Sequence, residues 1–363
     1  MIVKATELSG QVPYLDLSRV GDRVVNLMPL WDGRSWKHWV PGPGGILEVE
    51  PIDVVESDYV AKEAACEHDL LIPFVELMWQ RMTFPEVCPL IGAICDDFHN
   101  LGTTVAKLRH FHRTRDLLPE SDLGRFAATE LEYLLVLSRT IFDLLQEVVS
   151  ELFSERVRWA DSGCEAKRKA RKLPTKFSKV VLREKKDYRS VDEIHDCFGL
   201  PEIVARAYAE RAMFFSNLRD SRDAVVHHGR SVGTVFATPR GFCIDPKEAP
   251  FSRYKCWKGD HYYNEHVASV LPWIAEIVLG TIDACNAIMY AIASVVIFPP
   301  DIAPGYRVFV RGPSTPALVE VLRVSSGGSP WWDESDDGTL DQPPRLRRRA
   351  VSEPAGGLVA DDV

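Results

Sequence analysis

Along most of the chain, apolar residues recur every three to four positions, the spacing that places them on one stripe of an α-helix. The clearest case runs from Ser121 to about Trp159. There Phe126, Leu131, Leu134, Leu135, Leu137, Ile141, Leu144, Leu145, Val148 and Leu152 make a broad apolar face, with Ser121-Asp122 as capping side chains behind Pro119. A second pattern begins at Pro201-Glu202, where a proline and an acid suit the first helical turn. It carries Ala205, Tyr208, Ala212, Phe215 and Leu218 toward Arg222. A third covers about Tyr262 to Phe298 and is apolar almost all round, interrupted by Glu276, Asp283 and Tyr290 at intervals of seven. Such a helix is expected at the centre of a bundle with one narrow exposed stripe, rather than across a membrane. Helical spacing from about Ser57 to Met82, and again after Pro85 and Pro89 to about Arg115, predicts two more helices.

Elsewhere the pattern changes. Residues 1–60 are rich in Gly, Pro, Trp and Val and read as short strands and turns. Between Glu165 and Lys186 there are ten Lys or Arg against two Glu, divided by Pro174, which predicts a loop with a short helix. Val232 to Ile244 reads as a β-hairpin turning at Pro239-Arg240-Gly241. Tyr306–Gly312 and Ala317–Val324 are predicted as two short strands. From Ser325 onward, Gly, Ser, Pro, Asp and Arg dominate, and disorder is expected because little apolar surface offsets the ordering entropy. The resulting division is an irregular amino-terminal extension (1–60), a helical domain (61–298), short strands (299–324) and a tail (325–363). No internal repeat is present.

Composition narrows the function classes only slightly. The chain has 363 residues, 46% hydrophobic and 26% charged, with material for a substantial core. A net charge of −9 argues against a surface coated in nucleic acid, but leaves room for a local basic groove. The eight cysteines show no CxxC pair, so reduced thiols are expected. Met1 to Gly10 lacks the basic start and apolar run of a secretory signal, and a cytoplasmic location is expected. His99, His110 and His112 share a predicted helix with Asp96 and Asp97. Solvated helix positions are the expectation there, and no metal or cofactor is expected.

The candidate chemistry lies in Arg222-Asp223-Ala224-Val225-Val226-His227-His228-Gly229. A guanidinium is planar, permanently charged and matched to phosphate oxygens, while an imidazole exchanges protons near neutral pH. Together they suit metal-free cleavage of a phosphodiester. The same charged residues, with Arg219 and Asp223 four apart, also fit an ordinary solvated face laced with ion pairs. Gly229 is a suitable helix stop.

The segment RDAVVHHG resembles the signature of the HEPN superfamily, all-helical proteins with Arg, a polar residue, three variable residues and His. The resemblance covers about residues 120–298, and the hairpin and amino-terminal extension depart from a minimal member. It implies a mainly α, antiparallel helical bundle and a homodimer in which two Arg/His pairs line one cleft. It further implies an endoribonuclease with Arg222 and His227 catalytic and Asp223 supporting them, in a toxin, stress or antiviral role. Arg219, His228, Lys176, Lys179 and Arg183 are candidate RNA contacts, and a regulatory partner or antitoxin is implied as well. Many toxin members carry a Tyr two residues after the His; Gly229 stands there, so silencing through that Tyr is not implied. Some members keep the fold as non-catalytic RNA-binding or dimerisation modules, and that alternative stays open.

Overall fold

The computed structural model describes residues 10–42, 45–156, 158–170, 172–183, 187–228 and 231–332. In chain order the elements are β1 (Leu30–Trp31), β2 (Trp36–Gly42), β3 (Gly45–Val49), β4 (Tyr59–Ala61), α1 (Pro73–Arg81), α2 (Cys88–Arg113) and α3 (Glu120–Glu151). Then follow α4 (Ser162–Ala170), α5 (Phe177–Val181), α6 (Val191–Phe198), α7 (Glu202–His228), β5 (Phe236–Thr238) and β6 (Gly241–Ile244). Last come β7 (Ala268–Ser269), α8 (Leu271–Ala293), β8 (Arg307–Phe309) and α9 (Thr315–Ser325). About 53% of the molecule is helical, so it is mainly α.

The long helices form because their apolar stripes have something to cover. α3 lies against α2, α7 and α8, and α7 packs on α8 as well. On α7 the expected track of Ala205, Tyr208, Ala212, Phe215 and Leu218 is buried throughout. Its rings meet those of α3 and α5: Phe142–Phe215 centroids are 5.3 Å apart, Phe177–Phe215 4.8 Å and Phe177–Tyr208 5.2 Å. Burying each such ring contributes roughly 1.5–3 kcal/mol. Tyr208 hides its hydroxyl as well, donating to Gln146 Oε1 at 2.8 Å, which keeps the polar atom satisfied in the core.

α8 shows the predicted stripe. Glu276, Leu279, Asp283 and Tyr290 are exposed, whereas Trp273, Ile277, Val278, Ile288 and Met289 are buried. By length and composition it is the one helix among the described residues able to cross a membrane, and 61% of its most apolar window is buried inside the molecule. Gly280 has a packing reason: an added Cβ would stand 2.5 Å from the Phe214 ring of α7.

Four expectations are corrected by the tertiary context. First, Tyr59–Ala61 is not the start of a helix. It is the fully buried strand β4, parallel to β1 and antiparallel to β8, and the helix begins only at Pro73. Second, Ala317–Val324 is not a strand but most of α9. Its Ala317, Leu318, Val321 and Val324 are buried, and the helix packs on α2 and α8. Gly102 of α2 permits this approach, since a Cβ there would be 2.9 Å from Ser314 O. Third, Phe126 does not join the apolar face of α3; it is 42% exposed.

Fourth, order continues past Ser325. Trp331 and Trp332 are buried, Ser269 Oγ donates to Pro330 O, and Trp332 N–H donates to Arg240 O at 3.0 Å. The Arg240 guanidinium lies 4.4 Å from the Trp331 ring centre. Two indoles therefore fasten residues 330–332 to the hairpin, and the disorder expected for residues 333–363 lies outside the described residues.

The amino-terminal strands form one sheet, in the order β3-β2-β1-β4-β8, with a strand from beyond residue 299. Tyr59 and Phe309 pair across it with rings stacked at 5.4 Å. The predicted hairpin is present as β5 and β6, pairing Thr238 with Gly241 so that Pro239-Arg240 makes the turn, and β7 adds a third strand. The basic stretch holds two short helices, α4 and α5.

Candidate functional site

The site is the carboxyl-terminal end of α7. Its apolar track stops at Leu218, and the next turns carry Arg219, Asp220, Arg222, Asp223 and His227 at the surface or half-buried. With the core stripe used up, these side chains are turned toward solvent while the helix shaft holds their backbone still. Ser221 is the exception. It is buried, and its hydroxyl donates back to Asn217 O at 2.7 Å.

Arg222 and His227 meet. Arg222 Nη1 donates to His227 Nε2 at 3.0 Å and to Asp223 Oδ1 at 2.9 Å. Residues five apart on a helix do not share a face, so the contact depends on the reach of the arginine around the turn. A guanidinium has only donors, so Nε2 acts as the acceptor in this geometry, with the imidazole proton on Nδ1. The Nε2 lone pair is free for another donor only when Arg222 turns away from it. Asp223 Oδ2 also stands 3.5 Å from Arg219 Nε, so a single carboxylate anchors two guanidiniums. Arg222 is 30% exposed at its side chain, and its Nε is buried with no partner among the described residues. His227 is exposed.

The neighbouring framework was not legible from the motif. Arg253 Nη1 donates to Asp220 Oδ2 at 3.1 Å, tying the segment after the hairpin to this end of α7. Val232 N–H donates to Glu132 Oε1 at 3.3 Å, fixing the outgoing chain to α3. Both partners come from segments remote in sequence and carry no local signal. A cleft of about 600 Å3 opens beside this outgoing chain, lined by Ser121, Arg125, Ser231, Thr234 and Phe236 among others. Arg222 and His227 are not in its wall.

Of the candidate RNA contacts, Arg219 stands at the pair through Asp223, whereas Lys176, Lys179 and Arg183 are not gathered there. Lys176 precedes α5 and Lys179 lies on it, both exposed, while Arg183 donates to Glu193 at 2.6 Å. α5 contacts α7 near Tyr208 and Phe215, which are 14 and 7 residues before Arg222, a rise of about 21 and about 10 Å along the helix. The basic stretch is also less cationic in space than in sequence, because Arg168 pairs with Glu165, Lys167 with Asp196 and Arg183 with Glu193. The Arg168 hydrogen bond holds the Glu165 carboxyl down at about 2. The side chain of His228, and Gly229, lie outside the described residues.

The histidines of α2 are divided by the fold. His112 is not solvated: it is buried, its Nε2 2.8 Å from Thr238 O of the hairpin and its ring 5.6 Å from that of Trp332. His99 Nε2 lies 3.3 Å from Asp58 Oδ1, and this hydrogen bond raises its pKa against the opposing effect of burial. His110 is exposed. Among the described residues no group of three or more His, Cys, Asp or Glu is arranged to hold a metal ion, and all eight cysteines are free thiols. In comparisons with known proteins, no family model, no curated protein and no solved structure matches this chain.

Proposed function

We propose that this protein is a metal-independent endoribonuclease built on a HEPN-like helical bundle, acting as a homodimer in the cytoplasm. The observation that carries the reading is the hydrogen-bonded group Asp223–Arg222–His227 at a solvent-facing helix end, with Nε2 as acceptor. With the Arg222 guanidinium drawn from Nε2 onto the phosphate, His227 Nε2 removes the proton from a ribose 2′-hydroxyl, and that oxygen attacks the adjacent phosphorus. The bond from phosphorus to the 5′-oxygen breaks, leaving a 2′,3′-cyclic phosphate and, once the leaving oxygen is protonated, a 5′-hydroxyl. In a two-fold dimer the second copy's imidazole supplies that proton. Arg222, with its charge beside the site, stabilises the phosphate oxygens as charge builds on them. Asp223 positions Arg222, and Arg219 shares the same carboxylate.

The packing of α3, α7 and α8 around one apolar core supports a bundle of this type. Arg219, His228, Lys176, Lys179 and Arg183 remain proposed RNA contacts, with the three of the basic stretch reached only by a strand running along α7. A toxin, stress or antiviral role, and a regulatory partner or antitoxin, follow from the HEPN resemblance. A second reading is a non-catalytic RNA-binding or dimerisation module of the same fold. What favours it is that Arg222 and His227 are not among the residues lining the cleft beside the outgoing chain.

Incubation of the purified protein with total cellular RNA in EDTA decides between them. The expected result is new 2′,3′-cyclic phosphate and 5′-hydroxyl ends, lost on Arg222→Ala or His227→Ala by at least about a hundredfold, the usual scale for removing a general base or an oxyanion donor. A folded dimer that leaves RNA intact would transfer the assignment to the module.

A further inference from the structure

The cleft beside the outgoing chain of α7 has a construction of its own. Its floor exists because Gly124, in the second turn of α3, lets the backbone of Val235 run directly across the helix; a Cβ there would stand 2.6 Å from Val235 O. Its lining includes Arg125, exposed and without an ion-pair partner among the described residues, and Phe236, a large ring left 45% exposed on a short strand. The hydroxyls of Ser121, Ser231 and Thr234 complete the wall, all on exposed residues. Next to Arg125, Phe126 is also exposed, its ring 5.6 Å from that of Phe111.

We propose that this cleft binds a nucleotide of single-stranded RNA next to the one being cut, with its base on Phe236 and its phosphate on Arg125. The inference rests on the ribonuclease reading for what happens to the strand, but not for the binding itself. A cation and an aromatic face in one open groove are the two elements that hold single strands: the guanidinium meets the backbone and the ring stacks a base. At about 600 Å3 the cleft is within the usual size of small-molecule sites, roughly 300–1,000 Å3.

The location fits as well. Gly233 in the wall follows His227 by only six residues, at most about 22 Å of extended chain, and Val232 is pinned to Glu132 between them. Among the described residues the wall has no Asn or Gln and no buried charge to read base edges, so the site stacks any base and gives little sequence preference. The carboxylates of Glu132 and Glu248 stand by Val232 and Gly233 and repel a phosphate there, which leaves Arg125 as its partner.

The test uses the full chain carrying His227→Ala, which keeps the RNA intact, and fluorescein-labelled ten-nucleotide oligo-U and oligo-A read by anisotropy. Added Arg125→Ala or Phe236→Ala is expected to weaken both oligomers about tenfold, with the salt dependence reduced only by Arg125→Ala and binding kept by Phe236→Tyr. Affinities within twofold of the parent for both alanine variants, or a parent that binds neither oligomer, would overturn the cleft. If wild type cuts RNA while those variants bind normally, the cleft fails and the ribonuclease stands. If the variants lose binding while wild type cuts nothing, the cleft stands and the ribonuclease fails.

Discussion

The two halves of α7 do opposite things with the same backbone. From Ala205 to Leu218 the helix is clamped by a cluster of rings from α3 and α5, and every residue of its apolar track is buried. From Arg219 to His227 it has no such cover, and its polar groups bond chiefly to one another. The difference teaches why a long helix is a useful mount. Packing along one half removes freedom from the backbone of the other, so side chains that must meet a ligand stay exposed without losing their geometry.

Breaking the buried half has the largest expected effect. Phe215→Ala removes a ring touching both Phe142 and Phe177, and is expected to destabilise the protein by about 3–5 kcal/mol, read as a lower denaturation midpoint in urea. Any loss of activity should track the loss of fold.

The exposed half should behave in the reverse way. Asp223→Asn keeps the size of the side chain but leaves Arg219 and Arg222 without their shared charge. We expect kcat/KM for RNA to fall roughly tenfold, about 1.4 kcal/mol of transition-state stabilisation, with an almost unchanged Tm. A fall in Tm as large as that of Phe215→Ala would show that the tip supports the fold and not the chemistry.

The smallest effect sharpens the comparison from outside α7. His99 joins α2 to the amino-terminal strands through Asp58, and its pKa is raised above the usual imidazole value near 6.5 by that hydrogen bond. A raised folded-state pKa means the proton favours the folded protein: the contribution is complete below about pH 6.5 and is lost as pH rises through the folded value. The Tm difference between wild type and His99→Gln should therefore be larger at pH 5.5 than at pH 8.5. An equal difference at both would remove the charge from the account.

Local periodicity was enough wherever a segment is long and one-sided. The shafts of α3, α7 and α8, the stripe of Glu276, Asp283 and Tyr290, and the turn at Pro239-Arg240 were all legible, because stripe width and turn chemistry depend on neighbours a few residues apart. That Arg222 and His227 lie on one helix was legible in the same way, whereas their contact depends on the reach of the arginine around the turn.

What only the tertiary structure decided involves short apolar runs and partners far apart in the chain. Tyr59–Ala61 and Ala317–Val324 each hold too few residues for periodicity to choose a state. The first became a strand because β1 and β8 offered backbone partners on both sides, and the second a helix because Gly102 let it lie on α2. Trp331 and Trp332 lie in a stretch whose composition suits disorder, yet two indoles with Arg240, His112 and Phe242 to cover are enough to order a short segment. The cleft of Arg125 and Phe236 joins residues over a hundred positions apart. Sequence spacing carries information over the few residues that share a turn, while such meetings depend on how whole surfaces pack, and it is packing that placed a cation and a ring in one cleft.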